Sequence, residues 1–123
     1  MNPRTLIEAL SVAERLKDAT RHCYTRNGRH ESVAEHSWMV TLMAFLIKDE
    51  FPEADMDKVM KMCIIHDLGE AFTGDIPTFE KNDVHEQTEK ELLSAWLDTL
   101  PEHLREEMTA LITALTEILE ETP

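Results

Sequence analysis

The chain has 123 residues, 42% hydrophobic and 30% charged, with three glycines and five prolines. This composition suits one domain with a real core and excludes low-complexity, collagen-like and disordered polymers. The net charge of −13 is uneven, with +3 on residues 1–30, −7 on 31–79 and −9 on 80–123, which argues against general nucleic-acid binding and leaves capture of a small anion near the basic segment, or of a cation.

Helical periodicity runs through the chain. Leu6, Leu10, Ala13 and Leu16 give one apolar face and predict a first helix from about Arg4 to Asp18. Residues 19–31 have no period and contain the turn signal Asn27-Gly28. Ser32-Val33-Ala34-Glu35 reads as a capping box that opens a second helix. From Trp38 to Ile47 that helix is apolar nearly all round, which predicts burial on most sides. This is also the longest apolar stretch, too short to span a bilayer. Phe51-Pro52 ends it.

A third helix is predicted from Asp55 or Asp57 to about Gly69, followed by the irregular stretch from Thr73 to Phe79. A fourth covers about Val84 to Thr99, with Leu92, Leu93, Trp96 and Leu97 facing a core. Pro101 suits the first turn of a fifth, whose apolar face is Leu104, Met108, Leu111, Ile112, Leu115 and Leu119. No run reads as a strand, so the expected class is all-α, about five helices in a single domain over 1–123. Two cysteines, Cys23 and Cys63, make no disulfide framework. With no signal or transit peptide in MNPRTLIEAL, the expected location is cytoplasmic, with no membrane partner.

Three features point to chemistry. His36 lies in the opening turn of an otherwise apolar helix, where a polar ring needs a partner. His66-Asp67 closes an apolar helix, straight after Ile64-Ile65. Glu70 falls four residues after His66 and three after Asp67, on the same side if the helix continues. Asp75 follows in a Gly-Asp turn that can fold back over the same spot. Imidazoles with carboxylates suit a first-row divalent ion, and the competing reading is a helix end closed by a His-Asp hydrogen bond. Cys63 falls on the apolar face and reads as core, as do most of the seven methionines.

These residues resemble the HD-domain superfamily of metal-dependent phosphohydrolases. Arg21-His22, Glu31-Ser-Val-Ala-Glu-His-Ser37, His66-Asp-Leu-Gly-Glu70 and Gly74-Asp-Ile-Pro-Thr78, in that order, are similar to its 5′-deoxynucleotidase branch. The resemblance covers about residues 6 to 104. It implies an HD-type helical bundle that hydrolyses nucleoside 5′-monophosphates with a metal-activated water. It also implies one divalent ion, which could be Co, Mn, Ni, Zn, Fe or Mg. His36, His66 and Asp67 would be its ligands. Glu70 would orient or deprotonate the water, and Asp75 would sit beside the phosphate and sugar and help handle the proton, so that both would be catalytic. Arg21, and less directly Lys81, would bind the phosphate.

Two departures shape the expectations. His22 stands where the branch has a tryptophan beside the sugar, so relaxed or altered sugar selectivity is expected. The family's last ligand is an aspartate on a later helix, whereas Asp83 and Asp98, the aspartates after Asp75, lack that context. The chain therefore resembles the front of such an enzyme without its C-terminal helices. The expected consequences are a wetter, weaker metal site, exposed apolar faces on the second and fifth helices, and self-association, with a homodimer favoured. The alternatives are a non-catalytic helical module that binds metal or nucleotide, and an HD-type hydrolase of cyclic nucleotides, guanosine tetraphosphate or nucleoside triphosphates.

Overall fold

The computed structural model describes residues 1–73 and 82–121. Asp75 and Lys81 lie outside the described residues. The elements are α1 (Pro3–Ala13), β1 (Thr20–Tyr24), β2 (His30–Ser32), α2 (Val33–Ile47), α3 (Met56–Ile65), α4 (Glu70–Thr73), α5 (Asp83–Leu97) and α6 (Glu102–Glu121). Helices dominate, as expected.

Asn2 caps α1 through its side chain, with Pro3 at the first helical position, where its missing N–H costs nothing. The α-helix ends at Ala13 and a 3₁₀ turn carries the chain over Glu14–Lys17. The first helix is thus shorter than its periodicity implied, and Leu6 and Leu10 are exposed; only Leu16 of the expected face is buried.

Residues 20–32 are a further correction. They form an antiparallel hairpin, with Thr20 opposite Ser32 and Tyr24 opposite His30 and an irregularity between. Asn27-Gly28 makes the turn as read: Gly28 holds φ +88 and donates its N–H to the Thr25 carbonyl at 2.9 Å. The uneven strands, five residues against three, spoil the two-residue alternation that would mark them in a sequence.

The hairpin leads straight into α2. Ser32 Oγ accepts from the Glu35 N–H at 3.1 Å, and the Glu35 carboxylate accepts from the Ser32 N–H at 3.0 Å, completing the capping box. Val33 donates its N–H to the Ala19 carbonyl at 2.8 Å, and its side chain is 0% exposed. Val33 joins Leu16, Leu68 and Ala71 in a small core, with Leu93, Trp96 and Met108 packed against it. This core lies directly beneath the His66-Asp67 turn, because Leu68 belongs to it.

The rest of α2 departs from the burial expected of a helix apolar all round and agrees with the exposed face expected of a chain without the later helices. Its buried residues are Val33, Ser37 and Ala44, while Trp38 is 62% and Leu46 71% exposed, with Met39, Met43 and Phe45 also in solvent. Leu92 on α5 is exposed as well. Apolar character all round states that a helix can be covered on every side, not which sides are covered.

α3 is capped by Asp55, whose Oδ1 accepts from the Lys58 N–H at 3.1 Å. Its α-helical run stops at Ile65 rather than Gly69. The chain then tightens into turns in which Leu68 donates to the Ile65 carbonyl, Glu70 to Asp67 and Ala71 to Leu68.

Candidate metal centre

His36 comes from the first turns of α2, His66 and Asp67 from the turn after α3. One ligand atom from each lies within 4.8 Å of the others, and this is the one such cluster of metal-type donors among the described residues. His66 Nε2 is 2.9 Å and His36 Nε2 4.0 Å from Asp67 Oδ2. The two imidazoles meet edge to face, 5.5 Å between centroids. The His66 Nδ1–H donates to the Cys63 carbonyl at 2.6 Å, which anchors the ring to the end of α3. Cys63 is part-buried and its thiol is pushed up by burial, consistent with packing rather than reactivity.

The electrostatics divide the two histidines. Burial first, and then the Arg21 charge, push His36 below the usual imidazole range, which favours a neutral ring with an available lone pair. The hydrogen bond to Asp67 holds His66 above that range against its own burial. Burial works to raise Asp67, but the His66 hydrogen bond and the neighbouring charges outweigh it and hold the carboxyl low. The donors therefore fit a divalent ion: two imidazole nitrogens and an ionised carboxylate, with a proton on His66 Nε2 that such an ion would displace.

Glu70, the first residue of α4, shares a cleft of about 260 Å³ with His66, Asp67 and Gly69. The opposite wall is Glu89, Lys90 and Leu93 of α5. Glu89 accepts a hydrogen bond from Thr73 Oγ1, and a Cβ on Gly69 would come within 3.5 Å of its carboxylate. Arg21, on β1, reaches the cluster electrostatically: its charge acts on both His36 and Asp67. His22 follows it on the same strand, exposed. Sequence reasoning missed Glu31, Glu89 and Lys90. Only the hairpin register and the seating of α5 bring them near the cluster.

A profile of the HD domain matches residues 13–121. The chain belongs to the HD-domain family. This HD domain is 31% identical over 110 residues to the human protein named 5′-deoxynucleotidase HDDC2, covering 85% of this chain and 52% of the relative. It is 37% identical over 70 residues to 5′-deoxynucleotidase PM0747 of Pasteurella multocida, covering 53% of this chain and 36% of the relative. The chain spans about half the length of the first of these. Among solved structures, the HD domain resembles a protein from Magnetospirillum magnetotacticum described as a predicted metal-dependent phosphohydrolase, with a TM-score of 0.77 at 27% identity over 90% of this chain and 58% of that one. A conserved hypothetical protein from Pyrococcus furiosus gives 0.66 at 32% identity, over 92% and 68%. The family implies a divalent metal, in agreement with the donor set.

Proposed function

We propose that this chain is a metal-dependent phosphohydrolase that cleaves nucleoside 5′-monophosphates to nucleoside and phosphate. The observation that carries the reading is the convergence of His36, His66 and Asp67 to within 4.8 Å on a cleft that Glu70 also lines. The relatives named 5′-deoxynucleotidase support the substrate class.

His36, His66 and Asp67 would hold the ion. When bound, a divalent ion of this kind lowers the pKa of water and offsets phosphate charge. Glu70 aligns the attacking water and takes its proton; the water oxygen bonds to phosphorus as the bond to the 5′-oxygen breaks, and a proton goes to that oxygen. Arg21 pairs with the phosphate oxygens, a task suited to a planar guanidinium with several donors. In the proposed reaction Asp75 and Lys81 would serve the phosphate and sugar, and His22 would hydrogen-bond a sugar hydroxyl. The exposed apolar side chains of α1 and α2 support a homo-oligomer.

The test is phosphate release from a substrate panel with cobalt or manganese: adenosine and deoxyadenosine 5′-monophosphates, a cyclic nucleotide, a triphosphate and guanosine tetraphosphate. The expected result is turnover of the two monophosphates at comparable rates. A large deoxy preference would overturn the role given to His22, and turnover confined to the other nucleotides would overturn the substrate class.

A further inference from the structure

Each imidazole of the cluster turns one nitrogen inward and the other outward. Nε2 of both rings faces Asp67 Oδ2. Nδ1 of His66 is held by the Cys63 carbonyl at 2.6 Å. Nδ1 of His36 faces Glu31, whose Oε1 lies 3.7 Å away. Histidines that ligate metals commonly have their second nitrogen against a carbonyl or carboxylate, which fixes the ring and the tautomer. Cys63 thus serves one ring, and Glu31 stands in the corresponding place for the other.

Glu31 has a second duty. The same Oε1 accepts a hydrogen bond from Arg21 Nη1 at 2.9 Å, across the hairpin from β1 to β2. Arg21, Glu31 and His36 are each part-buried, with side chains 29%, 26% and 24% exposed, so the contacts are only partly screened by water. One carboxylate oxygen therefore binds the cation proposed for phosphate and faces, at 3.7 Å, the ring proposed for metal.

We infer that Glu31 is a positioning residue shared by the two halves: it orients His36 toward the metal and holds the Arg21 guanidinium beside it. This rests on the function proposed above. The arrangement carries a directional consequence. Arg21 and His36 compete for one oxygen, and the Arg21 charge opposes a cation bound nearby. Removing Arg21 leaves Glu31 to His36 alone and takes away a repelling charge. Removing the Glu31 charge leaves the Arg21 charge without this counter-ion and His36 without its carboxylate. The two changes act in opposite directions on metal affinity and in the same direction on phosphate affinity.

Calorimetric titration of cobalt into the metal-stripped chain tests this, followed by inorganic phosphate at saturating cobalt, for wild type, Glu31→Gln and Arg21→Ala. Glu31→Gln is expected to weaken cobalt binding about 10–100-fold, the usual effect of losing such an outer partner, and to alter the visible spectrum of the bound cobalt. Arg21→Ala is expected to bind cobalt at least as tightly as wild type. Both variants are expected to bind phosphate more weakly. Unchanged cobalt affinity in Glu31→Gln overturns the inference, and so does an equal loss in both variants, which would mark the pair as a hairpin brace only. If Glu31→Gln does not fold, Arg21→Ala decides, since weakened cobalt binding there overturns the inference and undiminished binding supports it. A wild-type chain that binds no cobalt overturns the proposed function itself, and this inference with it.

Discussion

Glu35 shows how much one side chain can organise. Its carboxylate takes two hydrogen bonds from the Arg29 guanidinium, at 2.9 and 2.6 Å, and one from the Ser32 backbone. The Arg29 hydrogen bond, followed by those with Ser32, pulls its pKa from 4.5 to about 2. A carboxyl depressed on folding contributes stability above its unfolded pKa and loses it as pH falls through the folded one. The stability gap between wild type and Glu35→Gln is therefore expected to be full above pH 4.5 and to close as pH falls toward 2. Denaturant unfolding at several pH values, at low salt, checks this. Because the pair is exposed, the gap is expected to shrink with added salt. A gap independent of pH would contradict the assignment. Legibility at this scale followed chemistry. His36, His66 and Asp67 stood out because ionisable groups bordering apolar runs need partners. Glu31 did not, because a glutamate in an aperiodic segment looks like any surface charge until the hairpin register sets it beside Arg21 and His36.

At the scale of elements, local signals were legible and tertiary ones were not. The capping box at Ser32 and Glu35 and the Asn27-Gly28 turn are encoded within a few residues, and both form as read. The hairpin was missed because its strands are short and unequal, so no alternation survives. The break after Ile65 was missed because His66 keeps helical dihedrals; the helix does not unwind there but tightens to shorter-range hydrogen bonds. That tightening still carries Glu70 to the cleft of His66 and Asp67, despite the error in helix length. The α5 wall of the cleft depends on how that helix seats against α4 and α6, which no spacing within α5 encodes.

Across the whole molecule, the small core beneath the metal cluster contrasts with the apolar surface elsewhere. Val33, Leu16, Leu68 and Ala71 hold the 3₁₀ turn after α1, the start of α2, the His66-Asp67 turn and α4 together. On α1 and α2, by contrast, Ile7, Leu10, Trp38, Met39, Met43, Phe45 and Leu46 lie in water. At about 25 cal/mol per Å² of apolar surface, covering such groups is favourable. Self-association of the chain is expected, with a dimer at micromolar concentration in sedimentation velocity. A single monomeric species across that range would contradict it. The net charge of −13 opposes close approach of two copies, so association is expected to strengthen with salt.

In the proposed reaction Glu70 acts on a water beside a metal held by His36, His66 and Asp67. The most direct test is phosphate release from deoxyadenosine 5′-monophosphate with manganese, against EDTA and against Glu70→Ala, with bound manganese assayed in both proteins. The expected result is release that EDTA abolishes and that Glu70→Ala lowers about 10²–10⁴-fold while manganese is retained. Release that persists in EDTA, or that Glu70→Ala leaves unchanged, would contradict the account.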